Sequence, residues 1–348
     1  MTQEQVDSST FDVVVVGSGA GGMVAALTAS VAGLRVLLVE KTDFLGGTTS
    51  YSEAMIWAPL SAQSQAALRA DSVGAALAYV SDVSGNRFDA LRSGAYIRHA
   101  AQMLAFVEAH SDVRYRLATG SVDYYPDREG ATAGTRSLSI ESFDGRRLGK
   151  DFNLLRPPLS STQIFGGLTI PGADLHHFYK VFRSARSTMR VAALLFAYAK
   201  DRLNGRSRSS QISGGDGLIG AILLALRGQG VVIATGTAAT KLSIQNGRVE
   251  GVTIVSEGQE TEVRATRGVI LATGGFSADR EKRAKYAPEA QRGDAYVGLT
   301  APGATGDGLD MALATGAAIN SDVDQPMAWA PVSWVDHLGS GFPHFMER

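Results

Sequence analysis

The 348-residue sequence contains no cysteine. That absence excludes disulfides, thiolate metal sites, iron–sulfur clusters held by this chain, cysteine nucleophiles and any cofactor attached through cysteine. The sequence also lacks an apolar run of the roughly 20 residues that a membrane helix needs, and its polar N-terminus is unlike a signal peptide. These absences predict a cytoplasmic protein without a transmembrane segment.

Neither sign of charge dominates, because 33 basic residues stand against 34 acidic ones, for a net charge of −1. A nucleic-acid-binding domain normally carries a basic face, so no nucleic-acid partner is expected. Apolar residues make up 45% of the chain, which indicates a globular protein. Proline is scarce at ten residues, whereas glycine reaches forty. Clustered glycines of this kind indicate a backbone that approaches a ligand closely.

The first glycine cluster follows the first predicted strand. The β-branched run Phe11–Val16 leads into the turn GSGAGG and an alanine-rich helix, and the apolar run RVLLV then ends at Glu40. This order predicts a βαβ unit with two buried parallel strands. Gly17 permits the tight turn, Gly19 lets the backbone approach a pyrophosphate, and Gly22 allows close packing. A carboxylate at Glu40 can accept hydrogen bonds from ribose hydroxyls, so the unit predicts dinucleotide binding.

The remaining chain divides into a helical part and a strand-rich part. Residues from about 60 to 210 read as a helical and irregular insertion. Within it, 183–208 predicts an amphipathic helix, which is either solvated or contacts a membrane or an apolar-substrate entrance. Strands are then predicted at 231–234, 239–245, 249–256, 261–265 and 268–272. The turn Asn246-Gly247 predicts a hairpin, so three of these strands should form an antiparallel unit.

Two later segments favour FAD over NAD. KTDFLGGTTS directly follows Glu40, and ILATGGF closes the last predicted strand, so a long cofactor would be approached from distant parts of the chain. Together with GGDGL and TGDGLDMALATGA, these motifs resemble the FAD-dependent oxidoreductases of the fumarate reductase/succinate dehydrogenase flavoprotein superfamily. Within it, the 3-ketosteroid Δ1-dehydrogenases are the most similar. The resemblance covers nearly the whole chain and is weaker over 60–230.

The resemblance implies an α/β fold. A Rossmann-like FAD-binding domain with a parallel sheet, a three-stranded antiparallel hairpin and the helical insertion would span residues 1–308. The beginning of a substrate or cap domain would span 309–348. Only forty residues follow Gly308, and the family's second catalytic tyrosine and its ketone-polarising groups would lie beyond Arg348. We therefore expect a C-terminally incomplete enzyme that needs a missing segment or a partner chain.

The resemblance also implies the residues that hold the cofactor. They are Gly17, Ser18, Gly19, Ala20, Gly22, Glu40, Lys41, Gly46, Gly47, Thr48, Thr49, Ser50, Ala238, Thr273, Gly274, Gly275, Gly306 and Asp307. The FAD should be non-covalent, because the flavin-linking histidine of succinate dehydrogenases would follow the GG of GGTTS, where this chain has none. No metal is expected. One departure is Glu53-Ala54-Met55, where family members often have glycines.

The loop VDYYPD resembles the DY-x-P loop of ketosteroid dehydrogenases, whose tyrosine takes part in removing the C2 proton. Tyr124 is therefore the first candidate for the proton-abstracting residue and Tyr125 the second, with an exposed turn tyrosine as the alternative. A phenol has an ordinary pKa near 10, so nearby donors or a proton relay would have to assist it.

Met327, Trp329 and Trp334 suit a flat apolar substrate, and no dicarboxylate-binding histidine occurs before His337. The function expected is α,β-dehydrogenation of a 3-ketosteroid or similar cyclic ketone, with hydride transfer to flavin N5 and an external electron acceptor. A fumarate-reductase-like enzyme for a small unsaturated acid is the first alternative. A FAD-binding fragment or homologue without activity of its own is the second.

Overall fold

The computed structural model describes residues 10–67, 71–118, 120–291, 298–320, 322–323, 326–328, 332–335 and 340–343. Their strands are β1 (Phe11–Val16), β2 (Val36–Val39), β3 (Ile56–Trp57), β4 (Tyr115–Leu117), β5 (Ser137–Ile140), β6 (Phe143–Asp144), β7 (Gln163–Ile164), β8 (Leu168–Thr169), β9 (Gln211–Ile212), β10 (Val232–Ala234), β11 (Thr237–Gln245), β12 (Arg248–Ser256), β13 (Gln259–Leu271), β14 (Val332–Val335) and β15 (Ser340–Pro343). Their α-helices are α1 (Ala20–Val31), α2 (Ala62–Ala66), α3 (Val73–Ser84), α4 (Ala90–His110), α5 (Leu175–Tyr179), α6 (Ala185–Leu203), α7 (Gly214–Gly228), α8 (Arg280–Tyr286) and α9 (Asp307–Ala314).

A six-stranded sheet in the order β10-β2-β1-β13-β12-β11 organises the cofactor half of the chain. β10, β2, β1 and the end of β13 run parallel, whereas β13, β12 and β11 run antiparallel. The apolar runs of β1 and β2 are buried because helices or strands cover both faces of the parallel part. The predicted α/β fold with a parallel sheet and a three-stranded antiparallel unit is confirmed.

β13 corrects one expectation. The sequence predicts separate strands at 261–265 and 268–272, but a single strand runs from Gln259 to Leu271. Its first half pairs with β12 and its second half pairs with β1, across a register shift opposite Phe11 to Val13. Thr266, Arg267 and Gly268 look like a break in the sequence, yet an irregularity in pairing accommodates them without ending the strand.

The turns of the antiparallel unit follow the sequence closely. Asn246 and Gly247 have φ of 51° and 75°, and Glu257 and Gly258 have φ of 49° and 78°. Positive φ at both central residues defines the two-residue turn whose twist matches a hairpin. The predicted hairpin at Asn246-Gly247 is therefore confirmed, and the second connection has the same form.

Helices pack on the sheet and form two apolar cores. On one face, α1 and α7 pack against each other, and Met23, Leu27, Ile222 and Leu226 are fully buried there. The other face of β1 and β2 packs against the antiparallel unit, with Met311 of α9 in the same core. Both parallel strands therefore lie between apolar layers, which fixes the glycine turn at the end of β1.

Between α2 and β9 the chain forms helices and short strand pairs. α3 packs on α4, α5 packs on α6, and β3, β5 and β4 make a small antiparallel sheet. α6 confirms that the segment 183–208 contains a helix. No helix in the part of the chain that the structure describes is both long enough and apolar enough to span a bilayer. The boundary between two domains near residue 308 stays a prediction.

Candidate cofactor-binding site

The turn after β1 requires glycine at two positions for different reasons. Gly17 has φ of +102°, and a Cβ there would lie 2.4 Å from the carbonyl oxygen of Ala272. A Cβ on Gly22 would lie 1.9 Å from the Gly17 carbonyl oxygen. Gly17 thus meets the end of β13, and Gly22 lets α1 begin against the turn. The N-terminus of α1 has no side-chain cap from Gly19, so its first backbone N–H groups, apart from that of Ala20, are available to an anion.

A cavity of about 360 Å³ opens at the carboxyl ends of β1, β2 and β13. This is the edge at which open α/β sheets bind ligands, and the volume is within the usual range for small-molecule sites. The expected cofactor residues that line it are Gly17, Ser18, Gly19, Ala20, Glu40, Lys41, Gly47, Thr48, Thr49, Thr273, Gly274 and Asp307. The structure therefore brings together segments that are distant in the sequence.

Glu40 is held in one orientation by four hydrogen bonds. Its Oε2 accepts from the backbone N and the hydroxyl of Ser18 at 3.2 and 2.6 Å. Its Oε1 accepts from the backbone N and the hydroxyl of Thr42 at 3.0 and 2.8 Å. The two oxygens of a carboxylate offer about four acceptor positions in all. Ser18 and Thr42 occupy these positions, and they hold the side chain at the cavity wall.

Lys41 joins the end of β2 to the start of α9. Its Nζ donates to Asp307 Oδ2 at 2.6 Å and to the hydroxyl of Thr305, which in turn donates to Asp307 Oδ1 at 2.7 Å. Burial raises the pKa of Asp307, but the hydrogen bonds from Lys41 and Thr305 outweigh it, so the pKa lies below its ordinary value. Asp307 is therefore ionised at neutral pH, in the first turn of α9, where a negative charge is favoured.

The GGTTS segment forms a short 3₁₀ helix, Gly47–Tyr51, against the start of α1. Thr49 Oγ1 accepts from Ala20 N at 3.0 Å, and Thr48 Oγ1 accepts from Ala301 N at 3.0 Å. Gly46 has φ of +111° and donates from its backbone N to the Ser18 hydroxyl at 3.0 Å. Both threonines line the cavity. Thr49 also joins this segment to the start of α1, and Thr48 joins it to the segment at Ala301.

Six of the expected cofactor residues do not line the cavity. They are Gly22, Gly46, Ser50, Ala238, Gly275 and Gly306. Ser50 is buried beside Asp216, which lies in the first turn of α7. Ala238 lies between Thr237 and Ala239, which do line the cavity. Because side chains alternate across a strand, the side chain of Ala238 faces the other way.

The GGDGL motif opens α7. A Cβ on Gly215 would lie 1.6 Å from the Thr49 carbonyl oxygen, so this glycine permits α7 to approach the GGTTS segment. Asp216 is buried and pairs with Arg208, which also donates to the Leu155 carbonyl oxygen at 3.1 Å. Burial raises the pKa of Asp216 to about 6, against the opposing effect of Arg208.

Sequence reasoning missed some of the lining residues. They are Val16, Gly21, Val39, Arg156, Thr237, Ala239, Ala272, Ala301, Gly303 and Ala304. The stretch APGA directly before TGDG carries the same small-residue signal as the recognised motifs, so Ala301, Gly303 and Ala304 could have been found. Arg156 has no such signal, because a single arginine in a loop is usually a surface residue.

Arg156 is the most informative of the missed residues. Its side chain is buried, its Nη2 donates to Thr42 Oγ1 at 2.7 Å, and its guanidinium lies over the Phe44 ring. The Nε is buried without a hydrogen-bond partner, and no carboxylate among the described residues forms an ion pair with this guanidinium. A buried cation without a counter-charge is costly. An anionic group in the cavity would remove that cost.

The tyrosine loop lies elsewhere. Its Asp123 is buried and accepts from Trp57 Nε1 at 2.7 Å and from Arg136 Nη1 at 2.9 Å, which fixes the start of the loop. Tyr124 is 76% exposed and Tyr125 45% exposed, and neither lines the cavity. The catalytic roles of the two tyrosines stay predictions.

The predicted apolar substrate segment is described only in part. Met327 is half-buried, whereas Trp329, His337 and the side chain of Trp334 lie outside the described residues. Within the described ranges, no group of three or more histidine or acidic side chains is placed to hold a metal ion.

The glycine turn, the acidic residue and the cavity at the sheet edge define a dinucleotide-binding protein of the Rossmann type. The family described as FAD binding domain matches residues 12–347, and the chain belongs to that family. This confirms the resemblance that the sequence motifs indicate.

Proteins similar to this chain bear closely related names. It is 33% identical, over 92% of its length, to a 3-oxosteroid 1-dehydrogenase from Mycobacterium tuberculosis (strain ATCC 25618 / H37Rv), of which it covers 56%. It is also 33% identical, over 99% of its length, to a 4-oxocyclohex-2-ene-1-carboxylate 5-dehydrogenase from Sinomonas cyclohexanicum, of which it covers 58%. The chain thus spans little more than half the length of these curated relatives.

A solved structure gives the same result for the fold. The 3-ketosteroid Δ1-dehydrogenase from Sterolibacterium denitrificans, solved in complex with 1,4-androstadiene-3,17-dione, superposes with a TM-score of 0.86 at 29% identity. The match covers 97% of this chain and 60% of that one. The whole described fold, including the region between residues 60 and 210, therefore has a counterpart in a steroid dehydrogenase.

Proposed function

We propose that the cavity binds FAD non-covalently. The observation that carries this proposal is the cavity itself, in which a glycine turn, a helix N-terminus and the fixed carboxylate of Glu40 meet at the carboxyl edge of the sheet. Among the lining residues in the described part of the chain there is no histidine, and the sequence has no cysteine. Neither of these side chains therefore stands at the wall to form a bond to a flavin.

The wall residues suit the separate parts of the cofactor. The backbone N–H groups of Gly19 and Gly21 at the start of α1 would hold the pyrophosphate. Glu40 would accept from the adenosine ribose in exchange for one of its present hydrogen bonds from Ser18 or Thr42. Arg156 lines the cavity without an acidic partner among the described residues, so its guanidinium would face an anionic group of the cofactor. When bound, FAD supplies a hydride acceptor at flavin N5.

We further propose that the chain serves an α,β-dehydrogenation of a cyclic ketone, with a 3-ketosteroid as the preferred substrate class. The substrates in the names of these relatives share a ring ketone. Hydrogens on the carbons next to such a ketone are the groups on which a base and a hydride acceptor act. Tyr124 is the proposed proton acceptor at the carbon next to the ketone, with Tyr125 as the second candidate. The external electron acceptor and the cytoplasmic location expected from the sequence remain proposals too.

The first experiment addresses FAD. Acid precipitation of the purified protein should release the yellow flavin into the supernatant, whereas a yellow pellet would contradict non-covalent binding. Arg156→Met should weaken FAD binding about tenfold or more, as expected for a hydrogen bond from a charged donor. Arg147→Met is the matched control, because Arg147 is half exposed and pairs with Asp112 at 3.0 Å. Equal affinities in the two variants would remove Arg156 from the proposed FAD site.

The second experiment addresses the reaction. Anaerobic titration of the FAD-loaded protein with a 3-ketosteroid should bleach the flavin, whereas oxidation of a reduced dye by fumarate should not occur. Tyr124→Phe should slow bleaching by about 10²–10⁴-fold without changing FAD affinity. Unchanged bleaching in that variant would move the role to Tyr125 or to a residue outside this loop. Fumarate turnover without steroid-driven bleaching would replace the proposed reaction.

A further inference from the structure

α6 has two apolar faces, of which only one is buried. The buried face carries Val191, Leu194 and Tyr198. Residues at helical spacing on the opposite face are small or apolar, and the structure leaves them exposed; they are Ala185, Met189, Ala192, Phe196, Ala199 and Leu203. A helix at the surface of a globular protein normally shows polar residues on its outer face, so this arrangement needs an explanation.

The exposed apolar side chains are large and numerous. Met189 is 67% exposed, Phe196 75% and Leu203 89%, and Phe182 is 96% exposed just before α6 begins. We call these four residues the α6 patch. Single exposed apolar residues are ordinary, but a row of them along one helix indicates a contact surface.

The charge around the α6 patch has one sign. Between residues 174 and 208 the sequence has eight lysines and arginines and two aspartates. Both aspartates are buried and paired, Asp174 with Arg190 at 2.7 Å and Asp201 with Arg206 at 3.2 Å. The surface of this segment therefore presents basic groups, although the whole chain has a net charge of −1. They include Lys180, Arg183, Arg186, Lys200 and Arg202, all exposed.

We propose that the α6 patch docks onto an anionic lipid bilayer and lies in its interface. Apolar side chains on one face of a helix, flanked by lysine and arginine, are the pattern of an interfacial helix, in which the apolar face enters the acyl boundary and the basic groups meet anionic headgroups. A second copy of the chain is disfavoured, because a symmetric contact would bring two basic rims together. The face is also the convex side of a helix and not a concave ligand site.

The test is flotation of the FAD-loaded chain with lipid vesicles. The protein should float with phosphatidylcholine vesicles that contain about 30 mol% phosphatidylglycerol, and much less with phosphatidylcholine alone, because the basic rim adds attraction to anionic lipid. The double change Phe196→Ser, Leu203→Ser should lower binding by about tenfold or more, since two large side chains no longer enter the interface. The double change Arg183→Glu, Arg186→Glu should have a similar effect, and only with anionic vesicles.

Matched controls lie on other exposed surfaces. Leu91 of α4 is 84% exposed, so Leu91→Ser removes a similar apolar side chain outside the patch and should leave binding unchanged. Arg248→Glu, at the antiparallel unit, is the control for charge. The proposal is wrong if the unchanged protein stays in solution with anionic vesicles, or if Leu91→Ser lowers binding as much as the patch variant. A dimer in sedimentation velocity that the Phe196→Ser, Leu203→Ser change dissociates would instead identify a second copy as the occupant.

Discussion

The cofactor half of the molecule and the region between residues 60 and 210 position their functional groups by different means. Around the cavity, positioning depends mainly on backbone groups. Glycines such as Gly17 and Gly22 let chain segments approach within distances that no Cβ permits. In the other region, charged side chains in the interior hold the structure. Arg136 is fully buried between Asp71 at 2.7 Å and Asp123 at 2.9 Å.

The backbone cradle and the buried ion cluster respond differently to substitution. A backbone cradle depends on the absence of side chains, so adding one methyl group damages it. A buried ion cluster depends on matched charges, so removal of one partner leaves the others unpaired in a medium of low polarity. The tyrosine loop belongs to the second type, since Asp123 of the ion cluster fixes its start. Glu40 at the cavity wall combines both types, because it accepts hydrogen bonds from backbone N–H groups and from side-chain hydroxyls.

The largest effect should come from the ion cluster. Arg136→Met leaves Asp71 and Asp123 buried without their cation, so the free energy of unfolding should fall by about 3–5 kcal/mol. Urea denaturation measures it. Arg128→Met is the control, because Arg128 is half exposed and lies 3.8 Å from Asp82, a pair worth at most about 1 kcal/mol.

Arg136→Lys keeps the charge and loses the paired geometry, so its free energy of unfolding should lie between those of the other two variants. If Arg136→Met and Arg128→Met shifted the urea midpoint equally, the buried cluster would not stabilise this region. FAD affinity measured on the folded Arg136→Lys protein should stay unchanged. That result would show that the ion cluster does not influence FAD binding.

The next largest effect should come from the glycine turn. Gly22→Ala puts a Cβ 1.9 Å from the Gly17 carbonyl oxygen, and relief of that contact should cost about 1–3 kcal/mol. Gly21→Ala is the neighbouring control, because nothing lies within 4 Å of a Cβ there, and alanine favours a helix over glycine by up to about 1 kcal/mol. Thermal unfolding without FAD should lower the midpoint of the first variant and raise that of the second. Equal shifts would show that close packing at Gly22 is not needed.

The same contrast explains what could be predicted from the sequence. Local signals gave the βαβ unit, the hairpin at Asn246-Gly247 and most of the cavity wall, because a glycine turn and a strand period act over a few residues. The continuity of β13 was missed, since only its two different partners hold Thr266 to Gly268 extended. These partners lie far away in the chain.

The buried arginines could not be predicted from the sequence. Arg136, Arg156 and Arg208 read as surface residues, because arginine is mostly exposed, and their partners Asp71, Thr42 and Asp216 stand at unrelated positions. Only the three-dimensional packing shows that each is enclosed. The two tyrosines proposed for proton abstraction share this difficulty, because a resemblance in one loop does not say which groups surround Tyr124.

The smallest effect should appear where the two regions join, at Ala54. The family resemblance leads to an expectation of glycine at this position, and Ala54 has φ of +50°. A left-handed conformation costs an alanine about 1–2 kcal/mol, whereas a glycine pays up to about 1 kcal/mol in lost chain freedom. Ala54→Gly should therefore leave the free energy of unfolding unchanged or raise it by up to about 1 kcal/mol. Ala193→Gly, in the exposed interior of α6, should lower it by about 1 kcal/mol in the same urea experiment. Equal losses in both variants would mean that Ala54 is not strained, and that its departure from the family pattern has no energetic consequence.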